Sequence, residues 1–145
     1  MQNASFNFWW KWLVAVVINI IVFGLFLVLF PHLTQQSFSL LIYADSSVIH
    51  GFGIEAQAYI RLVHAVLGAV MVGWAALILF VLLTVFRQNP ELGWKLVTYS
   101  VLAWFIPDTL YSLVSGFWQN AVLNLVFAVL FALPLIALRR YKSAI

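Results

Sequence analysis

The sequence predicts an all-α protein, an integral membrane four-helix bundle that forms a single domain over residues 1–145. Hydrophobic residues make up 66% of the chain and charged residues only 8%, whereas a soluble domain is about 45–50% apolar and about 25% charged. So few charges cannot cover a surface that faces water, and the mean hydropathy is +1.08. The apolar residues also occur in long runs, and about 20 such residues cross a bilayer as a helix.

Four long apolar segments are predicted to be membrane-spanning helices, at about residues 9–30, 56–86, 94–115 and 120–138. Tryptophans flank Lys11 at the start of the first segment, which is typical of a membrane–water interface. This segment is followed by Pro31 and is longer than the apolar core of a cleavable signal peptide, so we interpret it as an uncleaved anchor. The second segment exceeds one bilayer thickness, so we expect it to tilt or to extend beyond the membrane.

The connectors differ in length and composition. Residues 31–55 contain two β-prone runs around a polar turn, and we interpret them either as a small hairpin or as a short interfacial helix. Residues 87–93, RQNPELG, combine charge, proline and glycine and are predicted to be a loop. Pro107 is expected to kink the third helix. Residues 116–119 are predicted to form a tight turn before the fourth helix.

The positive charges predict the orientation. With four spans, one face collects all the cations except Arg61, namely Lys11, Arg87, Lys95, Arg139, Arg140 and Lys142. Cytoplasmic loops are enriched in Lys and Arg, so both termini and residues 87–93 are predicted to be cytoplasmic. Residues 31–55 then face outward. The expected location is the bacterial inner (plasma) membrane.

Polar side chains inside the predicted spans concentrate in the outer half of the bundle, judged from a rise of about 1.5 Å per residue. Arg61 and Asp108 are expected to form a buried ion pair, because an unpaired charge in lipid is costly. The pair either fixes how the second and third helices pack or lines a polar pocket that opens outward. The candidate cluster, for ligand binding or for structure, comprises Arg61, His64, Asp108, Tyr111, Ser112, Asn120 and Asn124.

Small residues continue the polar positions of the second helix toward its inner end, and small residues allow membrane helices to approach closely. Asn19 is expected to mark the inward face of the first helix. The predicted helix–helix contact positions on the second helix are Ala65, Gly68, Ala69, Gly73 and Ala76.

Several classes of site find no support in the sequence. It contains no nucleophile elbow, HExxH motif or Gly-rich phosphate loop, and no cysteine. Only the short tail is strongly basic, so nucleic acid is not an expected partner. His32 and His64 offer one axial pair for a haem, and His50 is expected to be solvated. A metal site that also used Asp45 and Glu55 lacks ligand spacing. No cofactor is predicted; haem and quinone are the alternatives.

Three segments carry a family resemblance. The first helix ends in GLFLVLFP, the second opens with AYIRLVHAVLGAVMVGW, and a helical hairpin closes the chain. In this order they resemble the DoxX-like small four-helix membrane proteins. The resemblance implies a four-helix membrane fold and, for some members, a link to quinone-dependent sulfur oxidation. It implies no role for any individual residue.

The leading functional hypothesis is a small non-catalytic membrane protein. It would be an accessory or partner-binding subunit, or it would bind a small lipophilic ligand at the outer-leaflet cluster. The alternative is a redox-linked subunit that contacts quinone or haem through His64 and Arg61. A proton-coupled transporter using Asp108 is a third hypothesis, which would require oligomerisation. The expected partners are the lipid bilayer and either another membrane protein or a second copy of the chain.

Overall fold

The computed structural model describes residues 4–141, and nearly all of them are helical, which confirms the all-α class. The helices are α1 (Ala4–Leu29), α2 (Pro31–Tyr43), α3 (Ile54–Gln88), α4 (Pro90–Val114) and α5 (Trp118–Leu138). Short 3-10 helices cover Val48–Gly51 and Arg139–Tyr141.

Four long helices, α1, α3, α4 and α5, correspond to the four segments predicted from the sequence. Three segments among the described residues are long and apolar enough to cross a membrane: Ala4–Leu29, Ile54–Gln88 and Trp118–Tyr141. Helix α4 is not among them and carries Asp108 in its interior. Pro107 also lies inside α4, and the helix continues through it.

The predicted loop at residues 87–93 is wrong, because Asn89 alone separates α3 from α4. The Asn89 Oδ1 caps α4 by accepting a hydrogen bond from the backbone N–H of Leu92 at 3.0 Å. Pro90 occupies the first helical position, where its missing N–H would have had no partner in any case. Proline therefore starts this helix instead of marking a loop, and Pro31 starts α2 in the same way.

Glycines allow the sharp turns from α3 to α4 and from α4 to α5. A Cβ atom at Gly93 would lie 2.5 Å from the Cα of Phe86, so only glycine lets α4 turn back this closely against α3. The turn between α4 and α5 depends on Gly116, whose φ of 83° is left-handed. The N–H of Phe117 then donates to the carbonyl of Ser112 at 2.8 Å. The tight turn predicted at residues 116–119 is thus found one residue earlier.

Residues 31–55 form a helix, α2, and a short 3-10 turn. No strand occurs in the part of the chain that the structure describes, so the hairpin alternative is wrong there. Hydrogen bonds explain the stop after α2: the N–H of Ala44, at a φ of 57°, donates to the carbonyl of Leu40. The helical alternative is confirmed, while its position at a membrane interface stays a prediction.

The residues group into two compact units. The first unit comprises residues 1–18 and 76–145, and the second comprises residues 19–75. The first therefore contains the start of α1, the end of α3, and both α4 and α5. The second contains the end of α1, α2 and the start of α3. The sequence-based assignment of one membrane domain stays a prediction.

Tryptophan side chains join helix backbones in the first unit. The indole N–H of Trp10 donates to the carbonyl of Leu82 at 3.0 Å, and that of Trp94 donates to the carbonyl of Leu135 at 2.7 Å. Trp12 donates to the carbonyl of Leu130 at 3.2 Å. Trp10 and Trp12, two of the tryptophans near Lys11 that were predicted to lie at the interface, thus also connect α1 to α3 and α5, and Trp94 connects α4 to α5.

In the second unit, α1 and α3 meet backbone to backbone at two glycines. A Cβ atom on Gly24 would lie 2.7 Å from the carbonyl oxygen of Gly68. The predicted close contact at Gly68 is therefore confirmed, but Ala69, Gly73 and Ala76 are exposed and were wrongly predicted to share it. Further along α3 the interior positions are taken by Ala75, Ile78, Leu82 and Phe86.

The interior face of α1 is also apolar throughout, and Asn19, expected to face inward, is exposed. The buried positions of α1 recur at spacings of three and four residues, as one face of a helix requires. These positions are Leu13, Val17, Ile20, Gly24 and Leu27.

Candidate functional site

The carboxylate of Asp108 lies in a network of uncharged donors in the first unit. The indole N–H of Trp104 donates to Asp108 Oδ2 at 3.1 Å, and the Asn120 side-chain amide donates to Oδ1 at 3.0 Å. The Ser112 hydroxyl donates to the Asp108 backbone carbonyl at 2.7 Å and in turn accepts from Asn120 at 2.8 Å. We call these four residues the Asp108 cluster.

Local sequence explains how the Asp108 cluster forms. Trp104, Asp108 and Ser112 are spaced by four residues, so they lie on one face of α4. Asn120 lies in the first turn of α5 and reaches this face because the Gly116 turn returns the chain immediately. The hydrogen bonds from Asn120 to Asp108 and to Ser112 therefore join α4 to α5.

The remaining predicted residues of this region separate into two environments. Asn124 is buried, with 4% exposure, and its amide donates to the Thr109 hydroxyl at 3.4 Å. Tyr111 is 74% exposed, and its backbone carbonyl accepts a hydrogen bond from the Ser115 hydroxyl. The structure thus brings Ser112 and Asn120 to Asp108, leaves Asn124 a turn away along α5, and directs Tyr111 outward.

Helix α2, in the second unit, buries three of its polar side chains and exposes three of its large apolar ones, while His32, Gln36 and Ser37 are also exposed. The buried residues of this helix are Thr34, Gln35 and Ser39. The exposed large apolar residues are Leu33, Leu40 and Tyr43. This arrangement reverses the pattern of a helix that faces water.

The buried face of α2 pairs with α3 through Gln35 and Arg61. The Gln35 side-chain amide donates to the backbone carbonyl of Gln57 at 2.6 Å. Its carbonyl oxygen accepts a hydrogen bond from Arg61 Nη1 at 3.3 Å. Gln35 is only 4% exposed, so it uses both ends of its amide inside the second unit.

His64 lies one turn further along α3, and its ring stacks on Phe38 of α2 with centroids 4.6 Å apart and planes inclined by 30°. Its Nδ1 atom is buried and has no hydrogen-bond partner. The hydroxyl of Thr34, a residue with 0% exposure, is in the same condition. Most buried polar atoms in proteins have a partner, so these two require an explanation. We call Thr34, Gln35, Phe38, Arg61 and His64 the α2–α3 cluster.

The expected ion pair between Arg61 and Asp108 joins residues of different units. Each of the two charges has uncharged hydrogen-bond partners in its own unit, Gln35 for Arg61 and the Trp104 and Asn120 side chains for Asp108. Pairing of Arg61 with Asp108 therefore stays a prediction.

The histidines considered as iron or metal ligands are dispersed in their exposure. His32, at the start of α2, and His50, in the first 3-10 helix, are both exposed, whereas His64 is half-buried. Within residues 4–141 no group of three or more His, Asp or Glu side chains could hold a metal ion. Haem ligation by His32 and His64 stays a prediction.

Lys142, one of the cations predicted to be cytoplasmic, lies outside the described residues.

Sequence reasoning missed the contribution of α2 to the site. Thr34, Gln35 and Ser39 were assigned to an outer connector, although their spacing places them on one face of a helix. The sequence PHLTQQSFSLLIY carries only part of this signal, because Gln36 and Ser37 are polar as well but lie on the exposed side of the helix. The helical pattern was difficult to separate from that of a strand, because SFSLLIY also contains an alternation with the period of a strand.

Comparisons of the chain with protein-family models, curated proteins and solved structures give no match. Similarity to the DoxX-like proteins stays a prediction carried by the sequence segments.

Proposed function

We propose that the chain is an integral membrane protein of the bacterial inner membrane, with α1, α3, α4 and α5 as its four spans and both termini in the cytoplasm. Arg140, after the end of α5, donates a hydrogen bond to the hydroxyl of Ser5 at the beginning of α1. The first and last described helices therefore meet at one end of the first unit. Both ends of the chain lie on one side of a membrane only if the number of spans is even, and α4 is the fourth span.

The outward-facing side chains support a lipid environment. Large apolar side chains are exposed on every long helix, for example Leu25, Leu77, Leu110 and Leu125. Polar groups are instead gathered inside, in the Asp108 cluster and on the buried face of α2. In water this distribution would expose apolar surface and bury polar groups at the same time, and both are unfavourable.

A chain without native cysteine allows a direct test of this topology. We expect Ser46→Cys and Ser115→Cys to react with a membrane-impermeant maleimide in intact cells. Gln88→Cys, at the junction of α3 and α4, should react only after the membrane is permeabilised. Labelling of Gln88→Cys in intact cells would refute the proposed orientation.

We propose further that the protein is non-catalytic and binds a small lipophilic molecule through the α2–α3 cluster. The observation that carries this proposal is the pair of buried polar atoms without partners, Thr34 Oγ1 and His64 Nδ1. Burying such an atom unpaired costs about 1–3 kcal/mol. A bound polar head group supplies the missing partners, and a lipophilic body suits the apolar surroundings.

Arg61 and Phe38 define the chemistry that this site accepts. The recorded hydrogen bond of Arg61 uses Nη1, and a guanidinium carries five N–H donors. A carbonyl or carboxylate oxygen on the ligand suits these donors. Phe38 and His64 form a stacked aromatic surface beside them. The ligand class that fits is therefore a lipophilic molecule whose head group is rich in oxygen acceptors.

Extraction of the purified protein tests ligand binding. We expect organic extraction and mass spectrometry to recover a lipophilic compound in stoichiometric amount, and Thr34→Val to lower its recovery. Thr98→Val is a matched control, because the Thr98 hydroxyl in α4 is also buried without a partner but lies in the other unit. Equal recovery from both variants, or recovery of bulk phospholipid alone, would refute the proposal.

A redox-linked subunit that contacts quinone or haem is the second candidate, favoured by the unpartnered imidazole nitrogen of His64. A visible absorption spectrum of the purified protein separates it from the first. A Soret band that disappears in His64→Phe would establish haem ligation, whereas a colourless sample containing a quinone would establish the quinone site. A membrane-protein partner or a second copy, as for an accessory subunit, would appear on cross-linking in native membranes.

A further inference from the structure

One end of the first unit concentrates positive charge. The described residues near the start of α1, the junction of α3 and α4, and the end of α5 include a single carboxylate, Glu91, which pairs with Lys95 at 2.6 Å. The cations at this end are Lys11, Arg87, Lys95, Arg139 and Arg140. Among the described residues, Lys95 is the only one of these five cations that forms an ion pair.

Arg87 is held in place by Trp10. Its guanidinium carbon lies 4.6 Å from the centroid of the Trp10 ring, within the range of a cation–π interaction. The indole itself is fixed, because its N–H donates to the carbonyl of Leu82 at 3.0 Å. Arg87 is exposed, so its planar donor group is both positioned and accessible.

Arg140 is positioned by a separate set of contacts. It donates a hydrogen bond to the Ser5 hydroxyl, and its guanidinium carbon lies 5.0 Å from the centroid of the Tyr141 ring. The centroid of the Phe6 ring lies 5.3 Å from that of Tyr141, next to Arg140, and 6.5 Å from that of Phe86, next to Arg87. Two ordered arginines thus flank the first turns of α1.

We propose that Arg87 and Arg140 bind the phosphate groups of anionic phospholipids in the cytoplasmic leaflet. This inference rests on the proposed membrane topology, which places the two arginines at head-group depth. A guanidinium matches the geometry of a phosphate. The excess of cations at this end favours lipids with net negative charge over zwitterionic lipids, whose ammonium group would be repelled. Exposed aromatic side chains near the start of α1, such as that of Phe8, are suited to contact the acyl chains.

Native mass spectrometry of the protein in detergent tests the proposal. Phosphatidylglycerol or phosphatidylcholine is added in separate titrations, and the number and stability of lipid adducts are measured. We expect phosphatidylglycerol to bind in preference, and Arg87→Gln and Arg140→Gln each to weaken its binding about fivefold, the effect of one basic residue near an anionic surface. Lys95→Gln is the matched control, since Lys95 is already paired with Glu91, and should change binding less than twofold.

Three outcomes would overturn the proposal: equal binding of both lipids, an effect of Lys95→Gln as large as that of the arginine variants, or full competition by millimolar inorganic phosphate. The last would mean that the site binds free phosphate and not a lipid. Cysteine labelling of the same preparations in native membranes shows separately whether the topology is correct. Lipid-site failure is therefore distinguishable from topology failure.

Discussion

Trp12 replaces a hydrogen bond that Pro134 removes from α5. In a continuous helix the carbonyl of Leu130 would accept from the backbone N–H of residue 134, but proline has no N–H. The indole N–H of Trp12 lies 3.2 Å from that carbonyl oxygen and donates to it. We therefore predict that Trp12→Phe destabilises the protein by leaving the Leu130 carbonyl without its donor.

The magnitude follows from the environment of this hydrogen bond, which is part-buried. Leaving a buried acceptor unpaired costs about 1–3 kcal/mol, although hydrogen bonds between membrane helices average only about 0.6 kcal/mol. We expect Trp12→Phe to cost about 1–2 kcal/mol of unfolding free energy. Phenylalanine keeps most of the aromatic contact that Trp12 makes with Phe8 and Trp9.

A double-mutant cycle with Pro134→Ala isolates the hydrogen bond. Alanine restores a backbone N–H that can donate to Leu130, so Trp12→Phe should cost about 1 kcal/mol less in that background. Unfolding would be followed by circular dichroism in detergent micelles titrated with SDS. Trp9→Phe is the control, because the recorded contacts of Trp9 are with aromatic rings and its replacement should show no coupling to Pro134→Ala.

Additive effects of Trp12→Phe and Pro134→Ala would refute this reasoning. Additivity would mean that the Leu130 carbonyl has another donor, or that the indole stabilises the protein only by packing. Equal coupling for Trp9→Phe would likewise show that the cycle reports general repacking around α1 and not one hydrogen bond.

Three further predictions concern other parts of the chain. Gly68→Ala should destabilise the protein by about 1–3 kcal/mol in thermal unfolding, because its Cβ would enter the backbone of α1, whereas Gly73→Ala, with nothing within 4 Å, should be neutral or slightly stabilising. The backbone N–H and hydroxyl of Ser47 hold the pKa of Asp45 below its ordinary value; the turn should therefore loosen as pH falls through that lowered pKa, seen as faster amide exchange, and Asp45→Asn should remove the pH dependence. Asp108→Ala should destabilise the fold more than Asp108→Ala combined with Arg61→Ala if the two charges pair, and additive losses would disprove the pair.

The long helices were predictable from sequence because their apolar runs are too long for any other element. The connectors were not predictable, because Asn89 and Pro90 are compatible both with a loop and with the start of a helix. In RQNPELG they were taken as loop formers, whereas they cap and start α4. The distinction depends on the local hydrogen bond that Asn89 Oδ1 accepts from the N–H of Leu92, and on the close approach of Gly93 to Phe86 of α3, which is a tertiary contact.

The candidate site was predictable where its residues follow one another on adjacent helical turns. Asp108, Ser112 and Asn120 were grouped because they were predicted to lie in the outer half of the bundle, and in the structure Asn120 donates hydrogen bonds to both Asp108 and Ser112. Thr34 and Gln35 could not be assigned without knowing that α2 turns its polar face inward. The prediction that Gly73 lies at a helix–helix contact was wrong for a related reason, because the size of a residue does not say which face of a long helix is covered.

The inverted polarity of α2 has a consequence for biosynthesis. A ribosome completes residues 31–43 before it makes α3, so Gln35 emerges without the Gln57 carbonyl and the Arg61 side chain that later satisfy it. Ser39 can already donate to the carbonyl of Asp45 at that stage, but until α3 follows, the Gln35 amide depends on water. Insertion of this segment is therefore expected to wait for the next helix, so that α1, α2 and the start of α3 enter their final places as one cotranslational step.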